Sequence, residues 1–161
     1  MSRSTTSAGL LMFRKSGQEL EVLLVHPGGP YFRNKDAGSW TIPKGEAGEG
    51  EDFLTRAQTE FEEELGMAPP ATAPWIELGS VQQKGGKTAH AWAFEGDCPA
   101  GFVAASNSFE IEWPPRSGRM QTFPEIDRAE FFPIDEAKAK INEAQITFLD
   151  RLVEAIEARG K

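Results

Sequence analysis

The chain has 161 residues, 39% hydrophobic and 26% charged, enough apolar material for a buried core without disulfides or structural metal and too much for a disordered chain. Its 17 Lys+Arg against 25 Asp+Glu leave a net charge of −8, which excludes a general nucleic-acid backbone binder and a polybasic membrane binder, both of which need cationic surface. A small anionic substrate remains compatible, because a bound divalent cation can reverse the local field. The single cysteine, Cys98, cannot form an internal disulfide. The apolar run Ala8 to Phe13 is too short for a signal-peptide core, and no stretch reaches the length of a membrane span. The expectation is one domain over residues 1–161, in the cytoplasm.

Leu10–Phe13 and Glu21–His26 are apolar runs around a polar, Gly-containing turn and predict a hairpin. Pro27-Gly28-Gly29-Pro30 stops the second strand, and residues 31–39 have no period and read as loop. Trp40-Thr41-Ile42 predicts a short extended piece ended by Pro43-Lys44-Gly45. From Glu51 to Leu65 the period becomes helical, with Leu54, Ala57, Phe61 and Leu65 on one stripe and Gly66 in place for a left-handed cap. Trp75–Val81 and Lys87–Phe94 predict strands around the turn Lys84-Gly85-Gly86, and Phe109–Trp113 a further strand before the loop 114–119. Glu130–Ile134 predicts the last strand, Asp135–Lys140 a short helix and Ile141–Ala158 the longest helix. Strands and helices interleave too irregularly for a βαβ array, so the fold class is α/β with a mixed sheet covered by helices.

The segment 45–67 carries the chemistry. On a helix, Glu60, Glu63 and Glu64 share one face, while Glu62 points elsewhere. Such like-charge pairs cost about 0.2–0.5 kcal/mol each. They also stand near the helix C-terminus, which disfavours anions. A hard divalent cation resolves the conflict, because it takes oxygen ligands and shares them with substrate phosphates. The bland alternative is a solvated acidic face.

This segment resembles the signature of the Nudix hydrolases, G-x5-E-x7-R-E-U-x-E-E-x-G-U, where U is a bulky apolar residue. Gly45, Glu51, Glu60, Phe61, Glu63, Glu64, Gly66 and Met67 match it; Thr59 stands where the family has Arg. The resemblance implies a Nudix α/β/α sandwich, with a mixed β-sheet between helices. It also implies hydrolysis of nucleoside diphosphates linked to another moiety, with Mg²⁺ or Mn²⁺. By position, Glu60, Glu63, Glu64 and the Gly45 carbonyl are then the metal ligands. A motif glutamate or one from a distant loop serves as base. The family Arg mainly pairs with the first Glu of the motif, which Thr59 cannot do. Arg56, one turn before Glu60, offsets this in part but from a different direction.

Lys44 resembles the Pro-Lys-Gly entry of Nudix enzymes acting on dinucleoside or inositol polyphosphates and is a candidate phosphate contact, against the alternative of an exposed loop lysine. Glu125 resembles the extra glutamate that the family supplies from a late loop. This makes Glu63, Glu64 and Glu125 the catalytic candidates. Arg116 and Arg119 are candidates for distal phosphates, with Arg33 and Lys35 similar in kind. Tyr31, Phe32 and Trp113 are candidates for stacking on a base or ring, against the alternative of closing a core, which is the expected place of Trp113. His26 and His90 read as packed strand residues without zinc-ligand spacing. Cys98 lacks the surroundings of a nucleophile.

The reading is a metal-dependent pyrophosphohydrolase acting on a small phosphorylated nucleotide. A dinucleoside polyphosphate or nucleoside triphosphate comes first and ADP-ribose or a sugar nucleotide second. A non-catalytic nucleotide-binding module is the rival class. No nucleic-acid polymer or membrane partner is expected, and the oligomeric state is a monomer or homodimer. Residues 45–67 hold eight acidic residues and one basic, a net −7 of the total −8. The acidity is thus local to the proposed metal site.

Overall fold

The computed structural model describes residues 5–159. Eight strands form: β1 Thr6–Ser16, β2 Glu19–Pro27, β3 Lys44–Glu46, β4 Ile76–Gln83, β5 Lys87–Glu95, β6 Ser108–Glu112, β7 Met120–Pro124 and β8 Ile126–Pro133. The helices are α1 Phe53–Leu65, α2 Ile134–Lys140 and α3 Ile146–Arg159. The main sheet runs β4-β5-β1-β2-β8, with β3 paired to β1, while β6 and β7 pair only with each other. It is mixed: β1 and β5 are parallel and the other pairs antiparallel.

Alternation along β1 and β2 sends side chains to both faces, and both faces are covered, so the strands read as nearly continuous apolar runs. On one face Ala8, Leu10, Met12, Leu23 and Val25 pack with Ala57, Phe61 and Leu65 of α1. On the other, Leu11, Phe13, Val22 and Leu24 pack with Ala137 of α2 and Phe148, Leu149 and Leu152 of α3. This is the expected α/β/α sandwich.

The short extended piece Trp40-Thr41-Ile42 makes single bridges from Thr41 to Val25 and from Trp40 to Ile141. Pro43, with no N–H to donate, follows it at once. Three sequence readings are corrected. The strand β7 was not foreseen; Met-Gln-Thr-Phe-Pro has no apolar alternation because most of it faces solvent. β8 begins at Ile126 rather than Glu130. The last helix begins at Ile146, because Ile141 is extended and Asn142 caps a separate 3₁₀ turn by accepting from the Ala144 N–H.

That 3₁₀ turn serves the site. Gln145, 1% exposed, accepts from the Ile42 N–H at 3.1 Å and donates to Gln83 at 3.0 Å. It fixes the extended backbone that leads into Lys44.

Candidate active site

Helix α1 is defined at both ends. Asp52 accepts from the Thr55 N–H at 3.0 Å, and Gly66 closes the helix at φ 76°, a conformation that favours glycine. Asp52 is therefore the cap, and the helix starts two residues after the expected Glu51. No basic residue stands in its last turn, so nothing on the helix offsets its carboxylates there. Phe61 and Leu65 face the core, and this fixes the rotation that carries Glu60 and Glu64 toward β3.

β3 pairs with the start of β1, with Ala8 opposite Gly45. Gly45 comes so close to the helix that a Cβ on it would lie 2.0 Å from Glu60 Oε1. Only glycine leaves room there for the Glu60 carboxylate.

Glu64 is 9% exposed, and among the described residues its Oε1 has no hydrogen-bond partner. Burial pushes this carboxyl up to about 8, and Glu60 and Glu125 add to the rise; the Lys44 ammonium and a hydrogen bond from the Lys44 backbone oppose it. Glu60 is also raised, first by burial and further by Glu63 and Glu125, while Arg56 lowers it. Lys44 is half-buried on β3 rather than an exposed loop lysine. Desolvation lowers its pKa, and Glu64, Glu46 and Glu60 partly restore it.

The structure places Glu60 within electrostatic reach of Lys44, Glu63, Glu64 and Glu125, and packs its carboxylate against Gly45. Glu63 is exposed beside this group. Glu125 stands between β7 and β8, its N–H donating to the Asn107 carbonyl and its own carbonyl accepting from Gly28, each at 2.8 Å. Arg116, Arg119 and Tyr31 are not part of the group. The two arginines sit in the turn at the far end of the β6–β7 hairpin. Tyr31 packs there against Trp113, ring centroids 5.3 Å apart. Trp113 is therefore half-exposed on the hairpin and not a core residue.

Arg56 takes over the pairing that Thr59 cannot make. It donates to Glu51 Oε2 through Nε at 3.1 Å and Nη2 at 2.8 Å, and to Glu60 Oε2 through Nη1 at 2.9 Å. Glu51 also accepts from the Gly48 N–H. The guanidinium thus joins the loop before the helix to the carboxylate face, from one turn earlier than expected. Thr59 only donates back to the Thr55 carbonyl at 3.1 Å. Arg56→Ala is expected to lower metal affinity about tenfold, as for other groups that orient metal ligands. The double variant Arg56→Ala/Thr59→Arg should recover most of the loss. A single variant with unchanged affinity for divalent metal would refute this role.

Sequence reasoning did not single out Lys87, whose charge acts on Lys44 from the start of β5. Lys87 also lines a cleft of about 1020 Å³ between the β4–β5 turn and the start of α3, with Gln82, Lys84, Asn142 and Arg151; none of the motif carboxylates borders it. His26 is fully buried, bonded at 2.7 Å to both Asp127 Oδ1 and the Lys35 carbonyl. It ties the 31–39 loop to β8, a packed role as expected.

Among the described residues, no three carboxylate, imidazole or thiol groups converge as a ready-made metal cage. The buried, unpartnered Glu64 oxygen and the Gly45 cradle nevertheless fit a hard cation that takes its remaining ligands from water and substrate.

The sequence profile of the NUDIX domain matches residues 3–152. The chain belongs to the NUDIX domain family. It is a Nudix-type pyrophosphohydrolase, and this family generally uses divalent metal ions and small nucleotide substrates. No curated protein matches the sequence significantly. Among solved structures, the C. elegans Ap4A hydrolase in a binary complex is 19% identical, covering 96% of this chain and 98% of its own, with a TM-score of 0.67. The NUDIX domain of Shewanella oneidensis NrtR, complexed with ADP ribose, is 14% identical over 97% of this chain and 90% of its own, TM-score 0.65. A mutT/nudix family protein from Listeria innocua is 17% identical over 99% and 98%, TM-score 0.64. At these identities the likeness shows the shared Nudix fold. Among the described residues no helix is long and apolar enough to cross a membrane.

Proposed function

We propose that this Nudix enzyme hydrolyses a phosphoanhydride bond in a nucleoside diphosphate-linked substrate with Mg²⁺ or Mn²⁺, and that the substrate is a dinucleoside polyphosphate or nucleoside triphosphate. The observation that carries the reading is the buried Glu64 oxygen without a partner beside Glu60, whose carboxylate lies where a Cβ at position 45 would stand. A carboxylate desolvated this far, with like charge next to it, is costly unless a cation completes it.

Glu60, Glu63, Glu64 and the Gly45 carbonyl would hold the metal. When bound, it supplies charge neutralisation for the phosphates and activation of water. Lys44 places an ammonium at the edge of the same group and binds a substrate phosphate. Glu125, exposed and outside the helix, would accept the proton of the attacking water. Arg56 holds Glu60 in place without touching substrate.

Turnover of nucleoside triphosphates, dinucleoside polyphosphates, ADP-ribose and sugar nucleotides, each with Mg²⁺ and with Mn²⁺, tests the proposal. The expected result is metal-dependent release of a nucleotide product, fastest with the first two classes. Faster cleavage of ADP-ribose or a sugar nucleotide would move the substrate assignment. No turnover of any of them would leave a binding module.

A further inference from the structure

We propose that the β6–β7 hairpin is the arm of this site that holds the aromatic base of the substrate, on Trp113 and Tyr31, with Arg116 and Arg119 beside it for a distal phosphate. This rests on the pyrophosphohydrolase reading above and deepens it by naming the residues that hold the base of that substrate.

The hairpin stands outside the main sheet and is inserted between β5 and β8. Its base is tied to the site. Glu125 bonds both Asn107, just before β6, and Gly28. Phe109 covers Gly29 so closely that a Cβ there would lie 2.8 Å from its ring. A Cβ at Gly28 would meet the Pro124 carbonyl at 2.0 Å. The loop that carries Tyr31 and the hairpin that carries Trp113 are therefore both joined to the segment of Glu125.

The tip is fixed as well. Glu112 accepts from the Arg116 and Gly118 N–H groups, each at 3.1 Å, and Trp113 donates to the Arg119 carbonyl at 2.9 Å. Gln121 donates to the Trp113 carbonyl at 2.8 Å. The carboxylate at the tip is thus occupied by backbone, and among the described residues neither Arg116 nor Arg119 forms an ion pair. Two exposed guanidiniums on a rigid turn suit an anion.

The aromatic pair has the same character. Tyr31 is 56% exposed and meets the half-exposed Trp113 edge to face, at an interplanar angle of 77°. Exposed aromatic surface of this kind suits stacking by a base, a sequence-tolerant partner. Paired residues run from Ser108–Pro124, next to Glu125, to Glu112–Met120. Four strand steps are roughly 14 Å, a span suited to a base separated from the reacting phosphorus by a short phosphate chain. A substrate without a base, such as an inorganic polyphosphate, would leave these rings unused.

Calorimetric binding of ADP, GDP, CDP and UDP, each compared with inorganic pyrophosphate in the presence of Mg²⁺, tests the arm. At least one nucleotide should bind the wild-type protein more tightly than pyrophosphate. Tyr31→Ala and Trp113→Ala should each weaken that nucleotide about tenfold while leaving pyrophosphate affinity unchanged. Trp113→Phe should retain most of the preference, which separates loss of stacking from loss of the hairpin fold. Equal affinities for nucleotides and pyrophosphate in the wild-type protein, or an undiminished preference in both alanine variants, would overturn the arm. Turnover is scored separately. Base-dependent binding without cleavage of any phosphoanhydride would uphold the arm and defeat the hydrolase reading. Cleavage of nucleotides with unchanged binding in the variants would do the reverse.

Discussion

Glu64→Gln is expected to reduce metal-dependent turnover by more than about a hundredfold and, in the same protein, to raise metal-free stability at pH 8 and above. The first effect follows from removing a proposed ligand, since even groups that only orient ligands are worth 10–100-fold. The second follows from burial. In the unfolded chain this carboxyl loses its proton near pH 4.5, whereas in the folded chain it keeps it up to about 8. Between those values the folded state binds more protons than the unfolded state, so metal-free stability falls as pH rises from about 5 to 8 and stays low above. A neutral amide of the same shape removes that dependence. Thermal denaturation of both proteins in chelator across pH 5–9 checks it. The wild-type midpoint should decline on the alkaline side and the variant's should decline less, because Glu60, also raised by burial, remains. Parallel curves would contradict the assignment of Glu64 as a buried carboxylate that ionises only at a cost. Added Mn²⁺ should restore the wild-type midpoint at pH 8, because an ion bound only by the folded state stabilises it.

Gly45→Ala should fold and yet lose most of its affinity for divalent metal. The new methyl would lie 2.0 Å from Glu60 Oε1, 2.1 Å from its Cδ and 2.6 Å from its Cγ. These atoms belong to a long side chain that can swing away, so the backbone of β3 need not break. The carboxylate then leaves the position in which Arg56 and Gly45 hold it. The expected loss is at least tenfold in metal affinity, with a far-ultraviolet spectrum like that of the wild-type protein. An alanine variant with wild-type affinity would show that the close approach has no bearing on the metal.

The motif and the sandwich were legible in the sequence for a physical reason. α1 shows one apolar stripe and one glycine stop, local signals carried by Ala57, Phe61, Leu65 and Gly66, whereas its Asp52 cap emerges only from the structure. β1 and β2, buried on both faces, appear as unbroken apolar runs. β7 has no such signal, because it is a solvent-facing partner of β6 and owes its conformation to pairing alone. The same holds for Trp113. A large apolar residue suggests core, and only the fold shows that it sits in the turn of a hairpin outside the main sheet.

Arg56 is the intermediate case. Its spacing to Glu60 is a plain i,i+4 pair, legible in advance. Its two bonds to Glu51 depend on the path of the loop before Asp52, which no periodicity encodes. The burial of Glu64 is likewise tertiary. The sequence places it on one face with Glu60, but only the pairing of β3 with β1 puts Lys44 and Gly45 over that face.

The most direct measurement is a Mn²⁺ titration at pH 8, read by the paramagnetic resonance of the free ion, for the wild-type protein, Glu64→Gln and Glu62→Gln. Glu62 is exposed on the same helix, so its variant removes equal charge without touching the proposed ligands. The expected result is binding by the wild-type protein and Glu62→Gln with similar affinity, and binding at least tenfold weaker by Glu64→Gln. Equal weakening in both variants, or none in Glu64→Gln, would contradict a metal held by this face of α1.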